Sequence, residues 1–224
     1  MQRSTVSAPG LILVCFAVKE EGRFFKPETG SPEQIQTLLT GIGRHNAEKA
    51  IRMALAQQKP RFVLSCGFAG GLRPGLESGS IVFAVDAATG LEASLLAAGA
   101  KPARFHCVDR VATTAKQKQA LWEETHAEAV EMESQVISEV CFSQGVPAGT
   151  VRVILDSATE DLPLDFNEMM TPDQRMDYGK LALALVKSPG KVSSLLRLQK
   201  QSTAAAQRLA EVLNDVLKMG ESSI

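Results

Sequence analysis

Residues Phe62 to Leu72 read FVLSCGFAGGL and carry the clearest signal for the fold. Its first part, Phe62–Cys66, is a short apolar run of the kind that forms a buried strand. The glycines that follow, Gly67, Gly70 and Gly71, allow a backbone to approach a ligand closely. Free N–H groups at the carboxyl end of a strand can receive an anion or a hydroxyl group. The segment therefore predicts a buried strand that leads into a ligand-binding loop.

Similar apolar runs recur along the chain and alternate with helical patterns. The other predicted strands are Leu11–Val18, Ile35–Leu39, Ile81–Val85, Ala103–Val108 and Thr150–Leu155. The predicted helices between them are His45–Gln58, Thr114–Thr125 and Glu133–Gln144. Most of these strands show no alternation of apolar and polar residues, so we expect both faces of the sheet to be covered. Strands that alternate with helices predict an α/β layered fold with a largely parallel sheet.

The last part of the chain has a different character. From Thr171 to Met219 it shows only helical periodicity, with breaks at Ser188–Gly190 and near Gln199. The last predicted helix, Ser202–Met219, carries one apolar stripe made of Ala205, Leu209, Val212, Leu213, Val216 and Leu217. Such a stripe is typical of packing against a sheet. We expect one domain over residues 1–224, with a sheet core at about 11–160 and C-terminal helices at about 171–219.

Composition excludes several classes of protein. The 24 Lys and Arg residues against 25 Asp and Glu give a net charge of −1, so no basic field exists to attract nucleic acid or anionic lipid. The cysteines are unclustered and the histidines lack ligand spacing, which argues against a disulfide framework and a metal site. The apolar run Leu11–Val18 is too short for a membrane span or a signal peptide. We therefore expect a cytoplasmic protein.

Acidic residues stand at the ends of several predicted strands. Glu21 follows the first strand, Asp156 closes Thr150–Leu155, and Glu131 and Glu133 flank Met132 at a strand-to-helix junction. Taken singly, the Glu pair could be solvated and Asp156 could cap the following turn. Ligands bind at the carboxyl ends of the strands in sheets of this kind. The convergence of all these carboxylates on strand ends therefore favours a site.

Two further features bear on what such a site could bind. Arg152 interrupts an apolar strand, and a buried arginine requires a carboxylate or a bound anion beside it. The segment Gly41–Asn46, GIGRHN, follows a strand and opens a helix, as dinucleotide-binding motifs do, but Asn46 replaces the third glycine. A nicotinamide cofactor is therefore not expected. The start of this helix either holds an anion or forms only a tight turn.

These segments, in this order, resemble the purine nucleoside phosphorylase/nucleosidase superfamily, and within it the methylthioadenosine/S-adenosylhomocysteine nucleosidases. The matching pieces are Ala17–Glu21, Gly41–Ala47, Gly67–Leu72, Val130–Glu133 and Val151–Asp156. The Val-Glu-Met-Glu segment followed by Arg-x-x-x-Asp at the correct spacing is the specific part of this match. The resemblance implies a three-layer sandwich around a twisted, mostly parallel mixed sheet with a C-terminal helical segment. It also implies a homodimer that needs no cofactor or metal.

The resemblance further implies cleavage of the N-glycosidic bond of a purine nucleoside of the adenosine type. By analogy Asp156 protonates the purine at N7, Glu21 activates the attacking water, and Arg152 orients Glu21 or the nucleophile. Glu133 is expected to bind the ribose 2′- and 3′-hydroxyl groups. The other substrate-binding residues that the resemblance implies are Glu131, Met132, Phe68, Ala69, Gly70, Val111 and Ala112.

Departures from the family pattern leave three functions open. Relatives usually have serine at the positions of Phe68 and Leu155, and the C-terminal helices resemble the hopanoid-associated phosphorylase branch. The chain is accordingly a purine nucleosidase, a phosphorylase that uses orthophosphate on an adenosyl substrate, or a nucleoside-binding protein without catalysis. A carboxylate at Glu21 repels phosphate and can activate water, which favours hydrolysis. Retention of Glu133 and the acid Asp156 speaks against simple binding.

Overall fold

The computed structural model of the protein describes residues 10–27, 34–171, 173, 177, 179–180 and 189–219. Its strands are β1 (Leu11–Phe16), β2 (Gln34–Leu39), β3 (Phe62–Gly71), β4 (Ile81–Val85), β5 (Lys101–Pro102), β6 (Phe105–Cys107), β7 (Ala129–Glu131) and β8 (Ala148–Asp156). Its α-helices are α1 (Lys19–Gly22), α2 (Arg44–Gln57), α3 (Glu92–Ala97), α4 (Ala115–Thr125), α5 (Ser134–Ser143) and α6 (Val192–Met219).

The strands form one mixed sheet in which parallel pairs predominate. Its main path is β2-β1-β3-β8-β4-β5, and β7 pairs with β3 while β6 pairs with β7. The parallel pairs are β1–β2, β1–β3, β3–β8, β4–β5 and β6–β7. Strand β4 runs antiparallel to β8, and β7 runs antiparallel to the end of β3. The mostly parallel mixed sheet expected from the sequence is confirmed.

Helices cover both faces of this sheet, as the apolar strands predict. Residues of β1 alternate between two buried clusters, because successive side chains of a strand point to opposite faces. Ile12 and Val14 join the cluster that contains the predicted stripe of α6, while Leu13 joins the one that contains Ile51 of α2 and Ile137 of α5. All six stripe residues of α6 are buried. The sheet therefore lies between helical layers.

Several boundaries differ from those expected. Of the predicted strand Ala103–Val108 only Phe105–Cys107 is strand. Strand β1 ends at Phe16, and the chain turns at once into α1. Strand β3 extends beyond Cys66 to Gly71, because β8 and β7 continue to pair with its glycine segment, so the predicted loop is mostly strand. The break predicted near Gln199 is wrong, since α6 is continuous from Val192 to Met219. Much of the helical region predicted after Thr171 lies outside the described residues.

Candidate active site

Arg152, in the middle of β8, is the centre of a buried ionic cluster beside β3. Its side chain is 1% exposed. The Nη2 atom lies 2.5 Å from Oε2 of Glu131 and 3.4 Å from Oε2 of Glu133, and it donates to Oγ of Ser65 at 3.1 Å. Arg152 pairs across the ladder with Gly67. The prediction that this arginine has a carboxylate partner is confirmed.

Glu131 is the most completely bonded carboxylate of this cluster. Its Oε2 accepts hydrogen bonds from the backbone N–H groups of Glu133 and Ser134 at the start of α5, at 3.0 and 2.8 Å. Its Oε1 accepts from the Ser134 hydroxyl and the Cys107 thiol. Burial acts to raise the pKa of Glu131, but Arg152 and these hydrogen bonds outweigh it and the pKa is lowered. Glu131 is therefore the fixed anion that pairs with Arg152.

Glu133 turns its carboxylate toward a different helix. It occupies the N-cap position of α5, and its Oε1 accepts a hydrogen bond of 2.8 Å from the backbone N–H of Gly43, the N-cap of α2. The anion that the start of α2 was predicted to be able to hold is thus supplied by the chain itself. Burial raises the pKa of Glu133 to about 7, with Arg152 opposing and the carboxylates of Glu131 and Glu21 adding to the rise.

Glu21, from α1, is held by backbone N–H groups of two segments. Its Oε2 accepts from Ala17 at 2.8 Å and Val18 at 3.2 Å, and its Oε1 accepts from Phe68 at 2.8 Å. A side chain at Gly67 would overlap the carboxylate of Glu21 and the guanidinium of Arg152. Glycine is required there for this close approach. Burial raises the pKa of Glu21, partly offset by Arg152 and these hydrogen bonds.

The cluster as a whole carries more negative than positive groups. The carboxylates of Glu21, Glu131 and Glu133 all act on the one guanidinium of Arg152, and although burial lowers its pKa, they raise it overall. The Nε atom of Arg152 is buried and has no hydrogen-bond partner among the residues that the structure describes. Like charges at close range disfavour full ionisation, so this site holds a proton readily near neutrality.

Asp156 lies at the end of β8 beside a second buried cation. The β3–β8 register shifts just before it, so that Leu155 is passed over and Asp156 pairs with Gly70. A bulge of this kind changes the direction of the side chain that follows. Its Oδ2 forms an ion pair with Nζ of Lys118 on α4. Burial raises the pKa of Asp156, and Lys118 opposes that rise.

Lys118 was not predicted from the sequence, although a signal was present. It stands on the same helical face as Leu121 and Trp122, three and four residues further on, which pack against an apolar cluster. A lysine on the apolar face of a helix must find a partner when it is buried. Its Nζ also donates to the carbonyl oxygens of Ser157 at 2.8 Å and Glu160 at 2.7 Å.

The remaining predicted residues lie around these two clusters. Phe68, Ala69 and Gly70 follow Gly67 along β3. Gly67 lies beside Glu21 and Gly70 lies beside Asp156, so about 10 Å of strand, at ~3.3 Å per residue, separates the two positions. Met132 is buried in the turn between the two glutamates. Ala112 packs near Leu72 and Val130, and Val111 is half-buried.

Asn167 is a second residue that the sequence did not single out. Its Oδ1 accepts from the backbone N–H of Val111 at 2.8 Å, and its Nδ2 donates to the Val111 carbonyl at 3.0 Å. It therefore fixes the predicted base-binding segment. Across the described part of the chain, no group of three or more His, Cys, Asp and Glu side chains is arranged to hold a metal ion. Within the same residues, no helix is long and apolar enough to cross a membrane.

Comparison with known proteins assigns the chain to a family. The model of the phosphorylase superfamily matches residues 15–105 and 91–187, which together span most of the chain. The chain belongs to the phosphorylase superfamily. This chain is 26% identical to each of two 5′-methylthioadenosine/S-adenosylhomocysteine nucleosidases, one from Marinomonas sp. and one from Geobacillus thermodenitrificans. The matches cover 62% and 63% of this chain and 74% and 75% of those proteins.

Solved structures show the same fold over almost the whole chain. Futalosine hydrolase of Helicobacter pylori has a TM-score of 0.68 at 18% identity, covering 93% of this chain and 97% of its own. The S-adenosylhomocysteine nucleosidase of Streptococcus pyogenes, in complex with 5-methylthiotubericidin, has a TM-score of 0.69 at 13% identity, covering 96% and 98%. The α/β fold expected from the resemblance is thereby confirmed.

Proposed function

We propose that the protein hydrolyses the N-glycosidic bond of a purine nucleoside of the adenosine type. In this mechanism Glu21 takes a proton from the attacking water, Arg152 orients the nucleophile, and Asp156 protonates the departing base. Glu133 binds the ribose hydroxyl groups. The proposed reaction needs no cofactor, and its substrate is a small molecule.

The observation that carries the choice of hydrolysis is the position of Glu21. Backbone N–H groups at strand ends are receptors for anions, and a phosphorylase needs such a receptor for its phosphate. Here the N–H groups of Ala17, Val18 and Phe68 all donate to the carboxylate of Glu21. The chain's own carboxylate takes these donors, and a phosphate placed beside it would be repelled. Water carries no charge, so the carboxylate of Glu21 would not repel it.

The charge of the Arg152 cluster supports the same reaction. Hydrolysis of a nucleoside develops positive charge on the ribosyl group, and groups aimed at developing charge stabilise a transition state. Glu21 and Glu133 present negative charge to that region, while Arg152 has its strongest ion pair with Glu131. Because Glu131 is fully bonded inside the protein, we assign it to holding Arg152 rather than to contacting substrate.

The two clusters lie along one strand of the sheet. Gly67, beside Glu21, and Gly70, beside Asp156, are three residues apart on β3, which is about 10 Å of strand. The proposed mechanism places a base at the sugar and an acid at the purine ring, so it needs two carboxyl groups at separate points of the site.

The serine-to-phenylalanine departure at position 68 does not remove this machinery. Only the backbone N–H of Phe68 holds Glu21, so the contact does not depend on which side chain stands there. The names of the relatives, methylthioadenosine/S-adenosylhomocysteine nucleosidase and futalosine hydrolase, agree with hydrolysis of a nucleoside. They do not identify the 5′ substituent of the substrate, which has to be found by experiment.

The test is release of adenine from methylthioadenosine, S-adenosylhomocysteine, 5′-deoxyadenosine and adenosine, each with and without orthophosphate. We expect release without phosphate and a free sugar as the second product. Dependence on phosphate, with ribose 1-phosphate formed, would show phosphorolysis. No release from folded protein that still binds a nucleoside would show a binding protein.

A matched pair of variants tests the role of Glu21 in the same assay. We expect E21Q to lower turnover by about 10³-fold, because general-base catalysis is typically worth 10²–10⁴-fold. E20Q changes the exposed neighbouring carboxylate and should leave turnover unchanged. Similar activity in E21Q and E20Q would remove Glu21 from the mechanism.

A further inference from the structure

Lys118 is buried and held in place beside Asp156, the residue proposed to protonate the purine base. Its side chain is fully buried, at 0% exposure. An ammonium group has three N–H donors, and Nζ here faces three oxygen atoms: Oδ2 of Asp156 and the carbonyl oxygens of Ser157 and Glu160. Two of its donors form hydrogen bonds with the carbonyl oxygens, and the ammonium charge is paired with Asp156, so the group is held by protein atoms on all three contacts.

Asp156 is the member of this pair that can meet a ligand. Its side chain is 12% exposed, whereas that of Lys118 is not exposed at all. The contact with Lys118 uses Oδ2, which leaves Oδ1 for another partner. Any effect of Lys118 on chemistry must therefore pass through Asp156.

We propose that Lys118 is the positioning residue of the catalytic acid: it fixes Oδ2 of Asp156, leaves Oδ1 to protonate the base, and stabilises the carboxylate that remains. This inference rests on the proposed function. In the step concerned, the O–H bond at Oδ1 breaks and an N–H bond forms on the purine. The glycosidic electron pair goes to the base, and the water that attacks the sugar gives its proton to Glu21.

The groups that face Asp156 set the direction of its titration. Burial raises its pKa, Lys118 from α4 lowers it, and Glu160, from the segment after β8, raises it. Asp161 and, from α6, Arg197 line the same recess as Asp156 and remain in place when Lys118 is changed. Gly70 and Val130, which also lie close to this position, carry no charge. Removing the Lys118 charge leaves burial and Glu160 without opposition, so Asp156 keeps its proton to a higher pH and becomes a weaker acid.

The activity test compares K118M with K116M, which removes an exposed lysine of the same helix. For K118M we expect turnover to fall at least about 10-fold and the alkaline limb of the pH–rate profile to move up by about one pH unit or more. K116M should match the wild type in both. A lower rate with an unmoved alkaline limb would reduce Lys118 to a structural residue and overturn the inference.

A second measurement does not depend on turnover. Titration of ¹³C-labelled aspartate by NMR, with the Asp156 signal assigned from its absence in D156N, should give a higher midpoint in K118M than in the wild type. An unchanged midpoint overturns the inference. Failure of the wild type to release any base, with the midpoint still displaced, would contradict the nucleosidase proposal and leave the control of Asp156 by Lys118 standing.

Two further variants guard against a folding defect in K118M. K118R keeps the positive charge, and we expect its alkaline limb to stay close to that of the wild type. In the double variant K118M/D156N no buried carboxylate is left without a partner, and the lysine change should add less than about 2-fold to the loss caused by D156N alone. A full additional loss would show that Lys118 acts independently of Asp156.

Discussion

Two buried cations lie along β8, Arg152 at its middle and Lys118 beside its last residue, and their surroundings differ in the number of carboxylates. Arg152 lies among the carboxylates of Glu21, Glu131 and Glu133, whereas Lys118 forms an ion pair with Asp156 alone. The first cluster has an excess of negative charge and the second is balanced. An excess of carboxylates raises the pKa of some of them. At Asp156 burial raises the pKa, and the one cation beside it, Lys118, opposes that rise.

This difference suits the two halves of the proposed reaction. The sugar end needs a base and negative charge opposite a developing cation, which the Arg152 cluster provides. The base end needs a carboxyl group that gives up its proton and is then stabilised as an anion, which Lys118 provides. Each of the following experiments alters one of the two clusters and leaves the other in place.

The largest effect on stability is expected from R152M. This change leaves three buried carboxylates without their cation, and breaking a buried ion pair costs about 3–5 kcal/mol in free energy of unfolding. K118M leaves only one carboxylate, which can take a proton, so its cost should be smaller. Urea unfolding of both variants measures this order, with R52M on the exposed face of α2 as a control near zero.

Equal losses of stability in R152M and K118M would contradict the contrast between an unbalanced and a balanced cluster. A stable R152M protein would show that the carboxylates there are already protonated in the native state.

At the base end, D156N should lower turnover by about 10²-fold or more, because the amide cannot protonate the purine. D215N, on the exposed side of α6, is the matched control. Adenine release at saturating substrate measures the effect. Near-normal turnover in D156N would take the acid role away from this residue while leaving the Arg152 cluster untouched.

A smaller effect is expected in the pH dependence of stability. The pKa of Glu133 is raised to about 7 from its usual 4.5, so its contribution to stability is present below about pH 4.5 and is lost as the pH rises through 7. The wild type should lose about 1–3 kcal/mol more than E133Q between pH 5 and pH 8. Urea unfolding at these two pH values measures the difference.

If the free energy of unfolding changed equally with pH in the wild type and in E133Q, a group other than Glu133 would take up the proton in this cluster. Glu131 gives the opposite sign for comparison. Its pKa is lowered, so the stability that it contributes is present above about pH 4.5 and is lost on acidification. E131Q should therefore flatten the acid side of the stability profile, not the alkaline side.

Much of the architecture could be predicted from the sequence, because it depends on local patterns. Buried apolar runs identified the principal strands, and the period of α6 identified the stripe that packs on the sheet. The sequence also indicated that Arg152 has a carboxylate partner, since a buried guanidinium cannot remain unpaired. What it could not supply was the choice among Glu21, Glu131 and Glu133, since two of them lie 21 and 19 positions from Arg152 and the third is far away in the chain.

The order of residues is enough to identify the chemical groups that follow each strand. Which of these groups come into contact depends on how the chain folds. The glycine segment became strand because β8 and β7 pair with it, the start of α2 received Glu133, and Lys118 reached Asp156 across 38 positions of sequence. Ion pairs and backbone N–H donors act over a few ångströms in space, and folding sets those distances without regard to separation along the chain.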